Sequence, residues 1–378
     1  MKQSTICVHG HDKRYDSAGA VSVPIFQSAT FVHPGVGQST GFDYSRAKNP
    51  TREALEATVT ALEHGVDTCA FTSGMAAVNC LTGLFKPGDH IIMSDDVYGG
   101  TLRLFVQVTA TYGVKFTAVN TSDLSSVSAA ITPDTKAVFV ETPTNPTMQV
   151  TDIAECAELC HNRNLLLIVD NTFLTPYLQN PLDLGADIVL HSGTKYLGGH
   201  NDTLCGFLVS KSPEVAEQIR WLAKTTGAVL APFDCWLVIR GIKTLAVRME
   251  RQQKSAAELA GFLRTLPTVT DVFYPGLPDH LGYEISKKQA RGFGAMLSFN
   301  TVNKDVALLA LEKCSVIAYA ESLGGVESLL TYPLTQTHAD VPREQREKLG
   351  ITDRFLRLSV GIEDVEDLKA DLAQALRA

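Results

Sequence analysis

The chain contains 378 residues, of which 45% are hydrophobic and 20% are charged, and its formal net charge is −8. This length predicts two domains, or one large and one small, and the composition is that of a globular protein. The sequence shows no basic stripe and no apolar run long enough to cross a bilayer, and its first residues are not expected to form a signal peptide. We therefore expect a cytoplasmic protein without nucleic-acid or membrane partners.

The first part of the chain is rich in turns, and alternating strands and helices follow it. Residues 1–45 are interpreted as an extended arm, and a helix is expected to begin after Asn49-Pro50-Thr51 and to stop at Gly65. Apolar strands are predicted at 68–72, 90–94, 114–119, 137–141, 165–170, 188–192 and 206–209. Amphipathic helices are predicted between them, for example at 75–84, 101–112 and 153–163.

The C-terminal part has a different pattern. A long helical stretch over about 234–266 precedes candidate strands near 294–299 and 355–360 and a closing helix over 365–377. Near-continuous apolar strands separated by helices are typical of a mostly parallel sheet covered on both faces. We therefore predict an α/β fold with a smaller C-terminal α+β domain. Its predicted parts are the arm, 1–45, a large domain, 46–235, and a C-terminal domain, 236–378.

The cysteines and histidines do not form a metal-binding pattern. Eight cysteines are scattered without a Cys-x-x-Cys pair, and Cys156 and Cys160 stand one helical turn apart, which indicates packing. His9 and His11 form a short pair with no clear third ligand. We expect reduced thiols and no metal site.

Two polar residues stand at the ends of predicted strands. Asp170 follows the apolar run Leu165–Val169, and Lys195 follows the strand at 188–192. In an open parallel sheet, the carboxyl ends of the strands form the ligand crevice. A desolvated lysine there can become a Schiff-base nucleophile, and a carboxylate can keep a pyridine nitrogen protonated. Taken singly, a capping aspartate and a surface lysine are the alternatives.

Two further turns suit an anionic aromatic ligand. Ser73-Gly74-Met75 joins a strand to a helix, where free backbone N–H groups bind anions and glycine permits a close approach. Ser192 and Thr194 could present hydroxyls to a phosphate. Tyr98 precedes a glycine pair and could lie flat on a ring. An ordinary capping serine and a core tyrosine are the alternatives.

These turns belong to motifs that span almost the whole chain. They are Tyr44-Ser45-Arg46, Asn49-Pro50-Thr51-Arg52, Ser73-Gly74-Met75, Tyr98-Gly99-Gly100-Thr101, Glu141-Thr142-Pro143-Thr144-Asn145-Pro146, Val169-Asp170-Asn171-Thr172, Ser192-Gly193-Thr194-Lys195-Tyr196, Glu321-Ser322-Leu323-Gly324-Gly325 and Arg357-Leu358-Ser359-Val360-Gly361. With them the chain resembles the Cys/Met metabolism family of pyridoxal-phosphate enzymes, which contains cystathionine γ-synthases, cystathionine lyases and O-acetylhomoserine sulfhydrylases. Bacterial γ-synthases are the members that it resembles most.

The resemblance implies a fold, a cofactor and ligands for that cofactor. The fold would be fold type I of the pyridoxal-phosphate-dependent transferases, which is aspartate aminotransferase-like, and the cofactor would be pyridoxal 5′-phosphate. Lys195 would bond covalently to the cofactor and later carry protons, Asp170 would pair with the pyridine nitrogen, and Tyr98 would stack on the ring. The phosphate would be held by Gly74, Met75, Ser192 and Thr194.

The resemblance also implies substrate and subunit contacts. Arg357 would clamp the α-carboxylate of an amino-acid substrate, helped by Ser322 and Asn145. Tyr44 and Arg46 would reach the phosphate of a neighbouring subunit. The active site would then be shared across a dimer, and the habit of the family favours a homotetramer.

Within the family, several details favour γ-replacement on an O-acylhomoserine by cysteine or another thiol, a reaction of methionine biosynthesis. Arg103 resembles an arginine that meets a distal carboxylate, Glu321 resembles the acidic residue of γ-acting members, and Thr331–His338 resembles the corresponding run of γ-synthases. Lys224 and Leu102 depart from the residues common in relatives and could alter the distal pocket. Cystathionine β-lyase or γ-lyase activity is the alternative.

Two other classes of protein match the sequence less well. A nicotinamide enzyme would need G-x-G-x-x-G after a strand, whereas the glycines of 35–41 have a different spacing and no strand before them. A non-enzymatic binding protein would have no need for Lys195 beside Asp170.

Overall fold

The computed structural model of the protein describes residues 1–10, 18–339 and 341–377. His11, half of the predicted histidine pair, lies outside these residues. The strands are β1 (Asp67–Phe71), β2 (His90–Ser94), β3 (Lys115–Val119), β4 (Thr135–Glu141), β5 (Leu166–Asp170), β6 (Ile188–Ser192), β7 (Gly206–Ser210), β8 (Val269–Phe273), β9 (Met296–Thr301), β10 (Ala318–Tyr319), β11 (Leu329–Thr331) and β12 (Phe355–Ser359).

Helices separate most of these strands, and a short 3₁₀ helix lies at Thr109–Tyr112. The α-helices are α1 (Gln3–His9), α2 (Pro50–Glu63), α3 (Gly74–Thr82), α4 (Gly99–Gln107), α5 (Leu124–Ala130), α6 (Ile153–His161), α7 (Thr175–Leu178), α8 (Pro213–Thr226), α9 (Pro232–Ile242), α10 (Leu245–Leu263), α11 (Tyr283–Gln289), α12 (Lys304–Lys313), α13 (Arg343–Lys348) and α14 (Val365–Ala375). In the described part of the chain, no helix combines the length and apolarity that a bilayer crossing requires.

A seven-stranded sheet forms the centre of the fold, in the order β1-β7-β6-β5-β4-β2-β3. All its strands are parallel except β7, which runs antiparallel to both of its neighbours. Alternate side chains of β4 enter different cores: Val138 and Val140 pack in one, and Ala137 and Phe139 in the other. The sheet is thus buried on both faces, which confirms the predicted α/β architecture.

The residues that bound α2 are those that the sequence indicates. The Asn49 side chain caps the helix by accepting hydrogen bonds from the backbone N–H groups of Thr51 and Arg52. Pro50 occupies the first turn, where its missing N–H costs nothing. The helix ends at His64, which is left-handed with φ 59°.

A second sheet of five strands, in the order β10-β11-β12-β9-β8, lies in the C-terminal part of the chain. Its strand β12 pairs antiparallel with both β11 and β9 and is buried throughout. The pairing fixes Arg357 opposite Thr331 on one side and Ser298 on the other.

Two expectations about elements need correction. Residues 3–9 of the predicted arm form α1, which buries Ile6 and Cys7 and packs on α2 and α10, because these apolar side chains gain a core contact. The expected long helix over about 234–266 is two helices, α9 and α10, with a break at Lys243-Thr244. Helix α9 spans the predicted limit between 235 and 236, and the division of the chain into domains stays a prediction.

The eight cysteines all lie in the described part of the chain, and none is disulfide-bonded there. Cys314 is half-buried and the other seven are buried. Burial raises the pKa of Cys7 to about 11 and that of Cys80 to about 12.

Candidate active site

A cavity of about 310 Å³ opens at the carboxyl ends of the central strands and reaches the C-terminal sheet. Several turns after the parallel strands converge there because the strands end at one edge of the sheet. The residues predicted for the site that line the cavity are Gly74, Met75, Tyr98, Asn145, Asp170, Ser192, Thr194, Lys195, Glu321, Ser322 and Arg357.

Lys195 reaches this cavity from the turn that follows β6. Its Nζ donates a hydrogen bond to Ser322 Oγ at 2.7 Å. Burial, and secondly the charge of Arg357, lower the pKa of the Lys195 amine to about 8, while Glu321 acts in the opposite direction. A substantial fraction of this amine is therefore neutral, and nucleophilic, near neutral pH.

The partner of that amine lies on a strained backbone. Ser322 has φ 84°, a left-handed conformation that a residue with a Cβ rarely adopts. Its Oγ binds Lys195, while its carbonyl oxygen accepts a hydrogen bond from Arg357 Nη2 at 2.7 Å. Strain held at one residue that contacts two cavity cations is typical of a functional site.

Asp170 ends β5 and contributes a carboxyl group to the cavity. Its Oδ1 accepts hydrogen bonds from the backbone N–H of Thr172 at 3.0 Å and from the Thr172 hydroxyl. Thr172 Oγ1 in turn accepts the backbone N–H of Ser192 at 2.9 Å, which ties the end of β5 to the end of β6. Burial raises the pKa of Asp170, and the hydrogen bonds from Thr172 oppose that rise.

The turn from β1 into α3 forms one wall of the cavity. Ser73 caps α3 by accepting the backbone N–H of Ala76 at 3.1 Å. A Cβ added at Gly74 would lie 3.0 Å from both Cβ and Oγ of Ser192, so the glycine keeps this approach open. Opposite it, Thr194 Oγ1 accepts the backbone N–H of Cys205 at 3.0 Å. Backbone N–H groups at a helix N-terminus beside two hydroxyls suit a phosphate.

Arg357 is a buried cation with an unused donor. Its exposed fraction is 1%, and burial lowers the pKa of its guanidinium to about 10. Nη1 donates to Asn145 Oδ1 at 2.8 Å, and Nη2 donates to Thr331 Oγ1 at 3.0 Å. Its Nε has no hydrogen-bond partner. A buried cation at a cavity wall with N–H groups left over suits an anionic ligand such as a carboxylate.

Glu141 is a cavity residue to which the sequence analysis gave no role. It ends β4, as Asp170 ends β5, and the two residues pair in register across the sheet. Its Oε2 accepts the backbone N–H of Tyr98 at 2.9 Å, and its Oε1 accepts that of Asn145 at 3.0 Å. The available signal was its position, an acidic residue that closes an apolar strand.

Three predicted residues lie away from the cavity wall. Arg103 is exposed on α4. Tyr44 is 48% exposed, and the Arg46 guanidinium carbon lies 5.5 Å from the centre of its ring. Arg46 Nη1 donates to the carbonyl oxygen of Lys224 at 2.7 Å. Among the residues that the structure describes, no group of three or more His, Cys, Asp or Glu side chains could hold a metal ion.

A buried lysine amine, a strand-end carboxylate and a helix N-terminus at one edge of a mostly parallel sheet define a pyridoxal-phosphate enzyme of fold type I. The chain belongs to the Cys/Met metabolism PLP-dependent enzyme family, whose model matches residues 4–377. The protein is accordingly a pyridoxal-phosphate-dependent transsulfuration enzyme of cysteine and methionine metabolism. The predicted family, cofactor and enzyme class are confirmed.

Relatives that align over nearly their full length include both lyases and synthases. The cystathionine γ-lyase of Bacillus subtilis (strain 168) is 50% identical over 376 residues, which are 100% of this chain and 99% of that protein. The cystathionine γ-synthase of Haemophilus influenzae is 50% identical over 372 residues, 98% of this chain and 96% of that protein. The solved structure of cystathionine γ-lyase from Lactobacillus plantarum, complexed with L-serine, is 48% identical with a TM-score of 0.96, covering 99% and 98% of the two chains.

Proposed function

We propose that the protein is a cytoplasmic enzyme of the cystathionine γ-synthase type, which replaces the γ-acyloxy group of an O-acylhomoserine with cysteine or another thiol. The observation that carries the enzyme class is the Lys195 amine, whose Nζ lies 2.7 Å from Ser322 Oγ in a cavity that Glu321 also lines. Within that class, the resemblance of Glu321 and Thr331–His338 to γ-acting relatives favours γ-replacement. γ-Replacement needs protons moved at both Cα and Cβ. An amine with a pKa of about 8 can both accept and return a proton near neutral pH.

The cavity side chains suit pyridoxal 5′-phosphate. We propose that Lys195 holds its aldehyde carbon, that Asp170 faces its pyridine nitrogen, and that Tyr98 covers its ring. The phosphate would lie on the N-terminus of α3, against Gly74 and Met75, with Ser192 and Thr194 as hydroxyl donors. When bound, this cofactor withdraws the electrons left at Cα and Cβ as protons depart.

The substrate end of the cavity would be formed by the C-terminal sheet. The Arg357 guanidinium, already fixed by Asn145 and Ser322, would hold the α-carboxylate and so orient the Cα proton. Arg103 would bind a distal carboxylate of the substrate or product. Because Arg103 is exposed on α4, this role requires its side chain to extend from that exposed face to the ligand.

We also propose that the active site is completed by a neighbouring subunit. Tyr44 and Arg46 are exposed and lie outside the wall of the cavity in their own chain. They would contact the phosphate in the partner of a dimer, within a homotetramer. The arm, 1–45, would form this subunit contact, 46–235 would hold the cofactor, and 236–378 would close over the substrate.

Cleavage of cystathionine is the second candidate. It is supported by the 50% identity to a relative named cystathionine γ-lyase, which equals the identity to a relative named cystathionine γ-synthase. A β-lyase would expel sulfur from Cβ, whereas a γ-lyase would expel cysteine from Cγ. All three reactions begin with removal of the Cα proton, so the same Lys195 amine would serve each of them.

One comparison of substrates separates these reactions. The holoenzyme is incubated with cystathionine and, separately, with O-acetylhomoserine plus cysteine. Net formation of cystathionine in the second mixture, without comparable turnover in the first, is the expected result. Oxobutyrate and cysteine from cystathionine would instead establish a γ-lyase, and pyruvate and homocysteine would establish a β-lyase. A Lys195→Ala variant is the blank for all products.

A further inference from the structure

Glu141 connects two parts of the cavity that come from different segments of the chain. Its carboxyl group is buried, with 6% of the residue exposed. One oxygen accepts the backbone N–H of Tyr98, which precedes α4, and the other accepts the backbone N–H of Asn145, in the turn after β4. Both amides are held by one side chain at 2.9 and 3.0 Å.

A carboxyl group is well suited to this position. In its ionised form it offers two acceptor oxygens on one planar group, whereas an amide side chain offers one acceptor oxygen and one donor nitrogen. If Glu141 were glutamine, its side-chain nitrogen would face one of the two backbone N–H groups, and that N–H group would lose its acceptor. Such a buried, unpaired donor is unfavourable, so one of the two segments would move.

The hydrogen bonds continue outward from Asn145 to the cation that faces the cavity. The Asn145 side-chain oxygen accepts from Arg357 Nη1 at 2.8 Å. Glu141 is therefore two hydrogen bonds away from the guanidinium. Burial and the neighbouring Asp170 raise the pKa of Glu141, and the backbone N–H groups of Tyr98 and Asn145 oppose that rise because they favour the carboxylate. Movement of the Asn145 segment would turn or release one arm of that guanidinium.

We propose that Glu141 is a positioning residue, which holds Asn145 and thereby sets the Arg357 guanidinium for the substrate α-carboxylate, while its other oxygen holds the Tyr98 segment. This inference deepens the proposed function, because it rests on the proposed role of Arg357 as the carboxylate clamp. Glu141 would thus contribute to recognition of the substrate α-carboxylate and not to the chemistry at the reacting carbons.

The test compares two reagents that differ in a carboxylate. Aminooxyacetate and methoxyamine carry the same aminooxy nucleophile, and both react with the bound cofactor, which can be followed by its visible absorbance. The ratio of their second-order rate constants, called here the carboxylate preference, measures the clamp and is independent of which reaction the enzyme catalyses. In Glu141→Gln holoenzyme, we expect this preference to fall about tenfold, with the methoxyamine rate little changed.

Glu63→Gln is the matched control. Glu63 is also a buried carboxyl group beside the central sheet, where it accepts hydrogen bonds from Asn171 and His191, but it does not line the cavity. The control is expected to lower thermal stability and to keep the wild-type carboxylate preference. A general loss of packing would affect both variants, whereas the proposed role affects Glu141 alone.

An unchanged carboxylate preference in Glu141→Gln holoenzyme would overturn the proposal. If that variant does not retain cofactor, Glu141→Asp decides, because a carboxyl group one methylene shorter cannot reach both amides. We expect its preference to fall at least about threefold, and an unchanged value would again refute the role. A wild-type enzyme without any carboxylate preference would instead contradict the proposed clamp at Arg357.

Discussion

The lowered pKa of Lys195 makes attachment of the cofactor to the apoenzyme pH-dependent near neutrality. Burial and the charge of Arg357 move this pKa from 10.5 to about 8. At pH 7, the neutral fraction of the amine is then about 10%, compared with about 0.03% for an ordinary lysine, a gain of roughly 300-fold. Because the neutral amine is the nucleophile, attachment should accelerate as pH rises through about 8 and level off above it.

The assay measures covalent attachment directly. Apoenzyme is mixed with pyridoxal phosphate at a series of pH values, the bond is trapped with borohydride, and the labelled peptide is quantified by mass spectrometry. A simple alkylamine in the same buffers corrects for titration of the cofactor itself, and Lys195→Ala gives the background. A midpoint equal to that of the alkylamine would refute the reasoning.

Two variants should move this midpoint in opposite directions. Glu321 raises the pKa of Lys195, so Glu321→Gln should lower the midpoint and speed attachment at pH 7. Arg357 lowers that pKa, so Arg357→Gln should raise the midpoint. Shifts in the same direction would mean that burial or local rearrangement, and not charge, controls the amine.

Three further predictions concern the phosphate, the substrate and the core. Gly74→Ala places a Cβ 3.0 Å from Ser192 and should weaken pyridoxal phosphate affinity about tenfold on titration of the apoenzyme. Unchanged affinity would contradict the proposed binding of the phosphate at the N-terminus of α3. Arg357→Lys lacks the planar fork, so the KM of the amino-acid substrate should rise about 10- to 100-fold at full cofactor content, and an unchanged KM would exclude the clamp. Leu358→Ala, at a fully buried position, should lower the free energy of unfolding by about 2–5 kcal/mol in urea, whereas the exposed Leu281→Ala control should change it by less than about 0.5 kcal/mol. Equal effects of the two leucine variants would contradict the core assignment.

Most strands of the central sheet were predictable because both of their faces are buried, whereas the edge strand β3 is partly exposed. β2 and β6 have the bounds that their apolar runs indicate, and β5 begins one residue later than predicted. By contrast, β10 has two residues, both exposed, so no apolar pattern marks it. The break between α9 and α10 was missed because apolar residues continue on both sides of Lys243-Thr244, at Ile242 and Leu245, and Gly241 in the last turn of α9 was the available signal.

The motifs identified the segments of the chain that line the cavity, but they do not show which side chains contact each other. Lys195 and Ser322 are 127 positions apart, and their hydrogen bond depends on how the two sheets pack. The roles of Glu141 and Thr172 as acceptors are equally invisible in the sequence, because each depends on which backbone N–H groups face it. Arg103 was predicted for the site from its position in a motif, yet it does not line the cavity.

The burial of the cysteines has a consequence for an enzyme of sulfur metabolism. Free thiolates attack aldehydes and exchange with disulfides, and both reactions require the deprotonated form. Burial raises the pKa of the thiols of Cys7, Cys69, Cys80, Cys205, Cys235 and Cys314, and a hydrogen bond with Cys156, followed by burial, raises that of Cys160. Thiols with raised pKa values are mostly protonated near neutral pH, so these cysteines are poorly suited to attack an aldehyde cofactor or to form mixed disulfides.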